Sequence, residues 1–512
     1  MPNPLAEAWQ AGQKDFRAIV VALLNDPDRT VAIDDTFVTL NDENYRELHH
    51  AHAILRPHAF AFTTLFESPA LSRAAVHDTL TATTHFLRHA ERQVNTLQHA
   101  PYGRRWRAAY TYAAVLVAIS ILAYICCDRD CDLEVGGEWT AQDAIWHLDF
   151  ALIKTGAWPI TNVVHDLLRY IDVRILPLVD AHDKADTPAE DGSEEGPEEE
   201  QLRLQFPGDE LRTPSIRHWQ ALYRSQQPAK LTGVIDHWPV FDVHPAAAAA
   251  AGRSRWSSID YLLAKTCGGR RIVPVEIGAT YADPALQQRV MTVREYISRH
   301  LLPQRDDGAV FGYLAQHNLL SQIPALRDDI CAPEYIQHTR GVLHKHSANP
   351  NDQVNNDDDE DEEEVKVTIN AWLGPTDTIT PLHTDPHHNI FCQVAGRKYL
   401  RLYPPSSGLA LHPMGVDERG VDMGNTSSIP VGWVNSDLND STDLQSLDGR
   451  EGEKEREMWR QFQAEKYVEF TVDAGEVVYI PRGWWHYVRA LHGKPGYSFS
   501  VNFWWDDNYD AD

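Results

Sequence analysis

From about residue 203 the hydrophobic pattern alternates in short runs separated by turn residues, and this constrains the fold more than any other feature of the chain. The clearest runs are Lys366–Trp372, Asn389–Val394, Lys398–Tyr403, Tyr467–Val472, Val477–Ile480 and Ser498–Trp505. A period of two is the signature of strands with one face buried. Gly396–Arg397 and Asp473–Ala474–Gly475–Glu476 supply tight turns between successive runs. Many short strands with such turns predict a jelly-roll or barrel. Residues 406–466 are polar and rich in glycine, and read as a long insertion with a helix near Glu453–Glu465.

The first 183 residues have a different period. Leu87, Val94 and Leu97, then Ile145, Leu148, Leu152 and Ile153, recur at helical spacing. Thr140 with Asp143 resembles a capping box, and Gly156 stands where that helix should stop. Ala108 to Cys127 runs 20 residues without a charge. Its length suits a membrane span. Its alanine content and its Thr111, Ser120 and three tyrosines favour a helix buried in a bundle instead. The expected architecture is therefore α+β: an all-α region over 1–183, a linker over 184–202 and a β-rich domain over 203–512. No membrane association is expected.

Composition narrows the partners. The chain carries 74 Asp and Glu against 46 Lys and Arg, a formal net charge of −28. Asp186–Glu200 and Asp357–Glu364 hold eight acids each and no base, so more than half of the imbalance sits in two runs. Such runs stay solvated. They argue against nucleic acid as a partner, because phosphate is repelled. The second run, within an insertion over 351–364, and the 406–466 insertion are expected to project from the barrel rim. Six cysteines without a CxxC pair exclude a disulfide scaffold and disfavour structural zinc. The N-terminus has no basic-then-apolar leader, which points to the nucleus or cytoplasm. Oligomeric state is taken as monomeric by default.

The chemistry concentrates in Pro381–Leu382–His383–Thr384–Asp385–Pro386. On a strand, His383 and Asp385 face the same way and can share one metal ion. Far downstream, an apolar run enters a Pro481–Arg482–Gly483 turn and reaches His486. Two histidines and one carboxylate on one face leave three coordination positions open, the arrangement suited to Fe(II) with a bidentate cosubstrate and O2. His147–Leu148–Asp149 repeats the tripeptide in a helix, where positions two apart diverge by about 200° and cannot chelate together. Lys398, on the next strand, is placed to meet the far carboxylate of 2-oxoglutarate, with Thr380 and Asn389 near enough to assist.

Several stretches in order resemble a JmjC-domain dioxygenase, and more closely the JmjC domain-containing protein 5 group of arginyl-hydroxylases. They are LTGVIDHWPV (231–240), RIVPVEIG (271–278), GYLAQHNLLSQIPALRDDI (312–330), TPLHTDPHHNIFCQVAGRKYLRLYPP (380–405), AGEVVYIPRGWWHYVRAL (474–491) and SFSVNFWW (498–505). The resemblance implies a double-stranded β-helix, or cupin-like, fold. It implies His383, Asp385 and His486 as iron ligands, and Lys398, Thr380, Asn389 and Tyr313 as 2-oxoglutarate residues. It also implies Glu276 and Trp372 on the substrate side, where a carboxylate and an aromatic face suit a guanidinium; a loop glutamate and a core aromatic are the alternatives. By resemblance the reaction is C-hydroxylation of an arginine in a basic protein or peptide. The rivals are methyl-lysine demethylation by the same iron chemistry and a cupin-like binding scaffold without turnover. Asn502 is assigned no role.

Overall fold

A computed structural model describes residues 4–24, 32–33, 36–37, 73–96, 103–126, 139–180, 199–243, 254–278, 286–302, 312–340, 342, 365–416, 420, 422–435 and 450–506. It divides into two compact units. The first comprises residues 1–192 with Arg270–Ile272, and the second Ser193–Gly269 with Val273–Asp512. Most of Asp186–Glu200, all of Asp357–Glu364, Leu97, Cys127 and Cys131 lie outside the described residues.

The first unit is helical: α1 (Pro4–Leu24), α2 (Arg73–Thr96), α3 (Gly103–Cys126), α4 (Ala141–Thr155), α5 (Thr161–Tyr170) and α6 (Leu176–Asp180), with a π-helical turn over Ile171–Ile175 between the last two. Strands β1 (Ala32–Ile33) and β2 (Thr36–Phe37) form a small hairpin. Val76, Leu80, Thr83, Leu87, Ala90 and Val94 make the buried stripe of α2, at alternating steps of four and three. In α3 every residue from Ala108 to Ala123 is buried, so the long apolar stretch is the centre of a bundle. Such packing admits polar groups only when they are bonded, and the Thr111 hydroxyl meets that of Thr155 on α4 at 2.8 Å. At the start of α4 the Asp143 carboxylate accepts from the Thr140 N–H at 2.8 Å. At its end Gly156 adopts φ +66, as its position required. The His147–Leu148–Asp149 tripeptide lies inside α4, and its Asp149 is fully buried against Arg271, Nη2 to Oδ1 at 2.6 Å. That carboxylate is thus committed to a structural ion pair.

Among the described residues the second unit holds thirteen strands. They are β3 (Asp209–Arg212), β4 (Ala229–Thr232), β5 (Ile272–Ile277), β6 (Gln287–Thr292), β7 (Gly312–His317), β8 (Thr368–Pro375), β9 (Ile379–Thr384), β10 (His388–Ala395), β11 (Arg397–Tyr403), β12 (Val468–Asp473), β13 (Glu476–Ile480), β14 (Trp485–Ala490) and β15 (Tyr497–Trp505). The major sheet runs β3-β4-β13-β10-β15-β8-β7-β5-β6, and the minor sheet β12-β11-β14-β9. All six runs singled out by alternation are strands, within three residues at each end.

Alternation sorts the side chains into three layers. Phe391, Leu400, Leu402, Phe470, Val478, Ile480 and Val488 come from both sheets and fill the space between them. Ile390, Cys392, Val477, Tyr479, Phe499, Val501 and Phe503 point the other way from the major sheet, into a large core with Trp219, Tyr223, Trp238 and Trp256. The minor sheet turns Tyr399, Tyr403, Trp485 and Tyr487 onto a third cluster. Strand β10 is covered on both faces, and each of its eight residues is buried.

The third cluster corrects one expectation. Leu411, Ile429, Val434 and Phe462 from the 406–466 segment are buried in it, with Tyr403 and Trp485. The described part of that insertion therefore packs on the outer face of the minor sheet instead of projecting from the rim. Its helix spans Arg450–Ala464. The polar composition hid a few apolar residues, which suffice because they meet a ready aromatic face.

The turn from β10 to β11 depends on Gly396, whose φ is +71. A Cβ there would lie 2.1 Å from the Tyr497 carbonyl oxygen, which is rigid backbone. Gly396→Ala should destabilise the β-unit by about 3 kcal/mol or more, as strain and clash combine. Chemical denaturation followed by tryptophan fluorescence reads that loss.

Candidate metal centre and cosubstrate pocket

His383 and His486 are brought together by one cross-strand pair. β9 and β14 are antiparallel with His383 opposite His486. The two rings stand 4.1 Å apart, centroid to centroid. Asp385 follows just past the end of β9. The turn over Pro481–Gly483 that delivers His486 is tied to it, with the Gly483 N–H donating to the Asp385 carbonyl at 3.1 Å. Gly483 has φ +78, a conformation that suits glycine in this turn. The Arg482 N–H donates to His388 Nδ1 at 3.3 Å. Burial lowers the His388 pKa to about 4, so that ring stays neutral and able to accept.

A bulge sets the phase of β9. His486 pairs with His383 but Val488 pairs with Thr380, so three steps on β9 face two on β14. The extra residue turns Leu382 out to the third cluster and leaves Thr380 and His383 both facing the interior. In a regular strand residues three apart would face opposite sides.

The imidazole tautomers follow from their partners. His383 Nδ1 lies 2.8 Å from the Pro381 carbonyl, and His486 Nδ1 lies 3.1 Å from the Trp484 carbonyl. A carbonyl only accepts, so both rings carry their proton on Nδ1 and turn a lone pair at Nε2 inward. Those Nε2 atoms are 3.9 and 3.5 Å from the Asp385 carboxylate oxygens. The ligand atoms of the three residues all lie within 4.8 Å of one another. Asp385 Oδ2 is buried without a hydrogen-bond partner among the described residues. An uncompensated buried carboxylate oxygen beside two inward lone pairs fits a divalent cation. Burial lowers the His486 pKa to about 4, which keeps it in the ligating form.

A second cluster, Glu200, Asp377 and His492, meets the same distance criterion. Arg489 already occupies it, 2.5 Å from Glu200 and 3.5 Å from Asp377, so it is an ion network.

The pocket runs from the triad to Lys398. The Lys398 ammonium is buried, 2.8 Å from the Ser500 hydroxyl and 3.4 Å from that of Tyr313, and no carboxylate is paired with it among the described residues. Burial alone pushes its pKa down to about 7. Burial also pushes the Tyr313 hydroxyl up, so it remains a donor, in contact with Thr380. Asn389 lines the same pocket with both ends of its carboxamide unpaired among the described residues. Trp372 lines it too, its ring 5.9 Å from that of Tyr313. Glu276 stands across the β5–β7 pair from Tyr313, and burial raises its pKa.

Sequence reasoning missed Ser500 and Asn502. Both follow from alternation along β15, since Ser498, Ser500 and Asn502 share the face opposite Phe499, Val501 and Phe503. Asn502 lines the pocket with a buried, unpaired carboxamide oxygen.

Lys398→Met should abolish measurable binding of a dicarboxylate such as N-oxalylglycine. It should also stabilise the free protein by about 1–3 kcal/mol, since an unpaired buried amine is removed. The folded pKa lies below the unfolded one, so the native amine is penalised as pH falls from about 10 towards 7. The gain of the variant is therefore largest at and below pH 7. Binding needs the ammonium, so the affinity of the parent protein should fall above pH 7 by up to tenfold per unit. Calorimetric titration of metal-loaded protein across that range measures it.

The family model described as Cupin-like domain matches residues 216–511. Lysine-specific demethylase 8 of Xenopus tropicalis is 35% identical over 296 residues, which cover 58% of this chain and 52% of that protein. Lysine-specific demethylase 8 of Danio rerio is 34% identical, covering 58% and 57%. Jumonji C domain-containing protein 5 of Drosophila melanogaster is 31% identical over 299 residues, covering 58% and 59%. The chain spans a little over half the length of these curated relatives. With the double sheet, the His–Asp–His face and the match over most of the second unit, the chain belongs to the cupin-like family of JmjC domains.

Proposed function

We propose that the chain is an Fe(II)- and 2-oxoglutarate-dependent protein hydroxylase acting on a C–H bond of an arginine side chain. JmjC relatives are oxygenases that use Fe(II), 2-oxoglutarate and O2. The observation that carries the reading is one cavity with a metal-binding face at one side and a buried, carboxylate-free ammonium at the other. A dianion bridging the two satisfies both. The bound iron would couple decarboxylation to oxidation, so that 2-oxoglutarate, O2 and R–H become succinate, CO2 and R–OH.

In this reading His383, Asp385 and His486 hold the metal. Lys398 holds the distal carboxylate, helped by the hydroxyls of Tyr313, Thr380 and Ser500. Asn389 offers its free carboxamide to the cosubstrate. Phe391, Ile480 and Val488 keep the cavity dry. On the substrate side Glu276 has a pKa raised by burial and no ion pair among the described residues, and a guanidinium would restore its charge. Trp372 presents an aromatic face to the same cation. The partner is a basic protein or peptide, met in the nucleus or cytoplasm.

The second reading is N-methyl-lysine demethylation, favoured by the printed names of the frog and zebrafish relatives. The two differ by mass. Hydroxylation adds 16 Da, whereas demethylation removes 14 Da and releases formaldehyde. We expect the +16 Da product on an arginine-containing peptide, its loss in His383→Ala, and no formaldehyde. Formaldehyde with loss of 14 Da from a methylated peptide would establish the rival. Iron binding without succinate formation on any extract would leave a binding scaffold. Glu276→Gln should raise KM for the arginine peptide at least tenfold, about 1.4 kcal/mol, and leave uncoupled 2-oxoglutarate turnover unchanged.

A further inference from the structure

The ligand strand β9 is an edge of the minor sheet. An edge leaves backbone donors and acceptors open, and a bulge leaves a further peptide unpaired. Both gaps are closed by three residues of the insertion. The Thr384 N–H donates to the Asn425 carbonyl at 2.8 Å, and the Ser427 N–H donates to the Leu382 carbonyl at 2.9 Å. Thr426 lies between them, bridged to His383. Thr426 and Ser427 are themselves buried. The segment doubles back on 412–414, with the Met414 N–H on the Thr426 carbonyl at 2.7 Å and the Ser428 N–H on the His412 carbonyl at 2.9 Å. Ile429 and Leu411 root it in the third cluster, and the Ser427 hydroxyl accepts from the Ile429 N–H at 3.0 Å.

The two bulge carbonyls therefore have separate partners. That of Pro381 accepts from the His383 ring, and that of Leu382 accepts from Ser427. The peptide that follows the one orienting the ligand imidazole is thus held by the insertion. We propose that Asn425–Ser427 is a positioning element of the metal centre: by pairing with the outer edge of β9 it fixes the bulge that points His383 Nε2 and Asp385 at the metal. This goes beyond the proposed reaction and rests on that reading only for the identity of the metal ligands.

Two measurements on the full chain test it. Ser427→Pro removes the N–H that holds the Leu382 carbonyl, and Ser427→Ala keeps it. Partners that orient a ligand are worth ten- to a hundredfold in metal affinity. We expect Ser427→Pro to weaken Co(II) binding at least tenfold and to alter the visible Co(II) spectrum, while Ser427→Ala stays within about twofold of the parent. Equal loss in both variants, or parent-like binding and spectrum in the proline variant, overturns the proposal. The second measurement needs no variant. Coupling is reciprocal, so metal loading must slow hydrogen exchange over 423–429 in the unaltered protein. Exchange there that ignores Co(II), while peptides over 380–386 respond, overturns it whether or not the proline variant folds. His383→Ala is the control: retained Co(II) affinity in it removes the ligand assignment itself.

Discussion

The site depends on the register of one strand pair. His383 opposite His486 on β9 and β14 brings two ligands to one spot from residues more than a hundred positions apart. Side chains alternate every residue, so a slip of one position would send one imidazole into the third cluster and Trp485 or Leu382 into the pocket. The three-layer packing prevents that slip. Trp485 and Tyr487 have an aromatic cluster to enter on one side, and Val488 has the inter-sheet core on the other. The hydrophobic effect thus fixes the metal geometry without contributing a ligand.

Against this background Lys398 is a local sacrifice. A buried amine whose pKa falls to about 7 works against folding, and hydroxyls from Ser500 and Tyr313 offset only part of the desolvation. Such a group would be stabilised by an anion, and no described residue supplies one. The same holds for Asp385 Oδ2 and the Asn389 carboxamide. These groups share one cavity, and in the proposed reading a cation at one end and a dianion at the other would answer them. In that reading stability and function are in opposition at these residues.

Much of this was legible in the sequence. Alternation marked the strands, Thr140 and Gly156 marked the ends of α4, and His383, Asp385 and His486 were singled out as the candidate metal face that the structure gathers within 4.8 Å. The bulge was not legible. Period-two counting places Thr380 and His383 on opposite faces, and only the unequal pairing with β14 reconciles them. The role of the 406–466 segment was hidden by its polar composition, because four buried apolar residues decide where it packs. Asn502 and Ser500 were within reach, since alternation from Phe499 places them inside. Glu276 and Trp372 were drawn from the resemblance, and the structure puts both near Tyr313, Glu276 across the β5–β7 pair from it and the Trp372 ring 5.9 Å from its ring.

Hydroxylation and demethylation place different demands on the chain than their names suggest. Both begin with oxidation of a C–H bond held near the metal. If that carbon bears only carbon neighbours and the hydroxyl, the alcohol persists. If it is an N-methyl, the product is a hemiaminal that expels formaldehyde without help. The outcome is then set by which carbon the protein presents, and the groups that decide are those binding the substrate cation. A methylated ammonium is bulky and poor in N–H donors, and is best met by aromatic faces. A guanidinium is planar with five donors and is best met by a carboxylate and one stacking ring. Trp372 lines the pocket, and Glu276, a partly buried carboxylate, stands across the β5–β7 pair from Tyr313, which also lines it. In the proposed reading Glu276 and Trp372 would meet the planar cation, and on that ground it puts hydroxylation before the demethylation in the relatives' printed names.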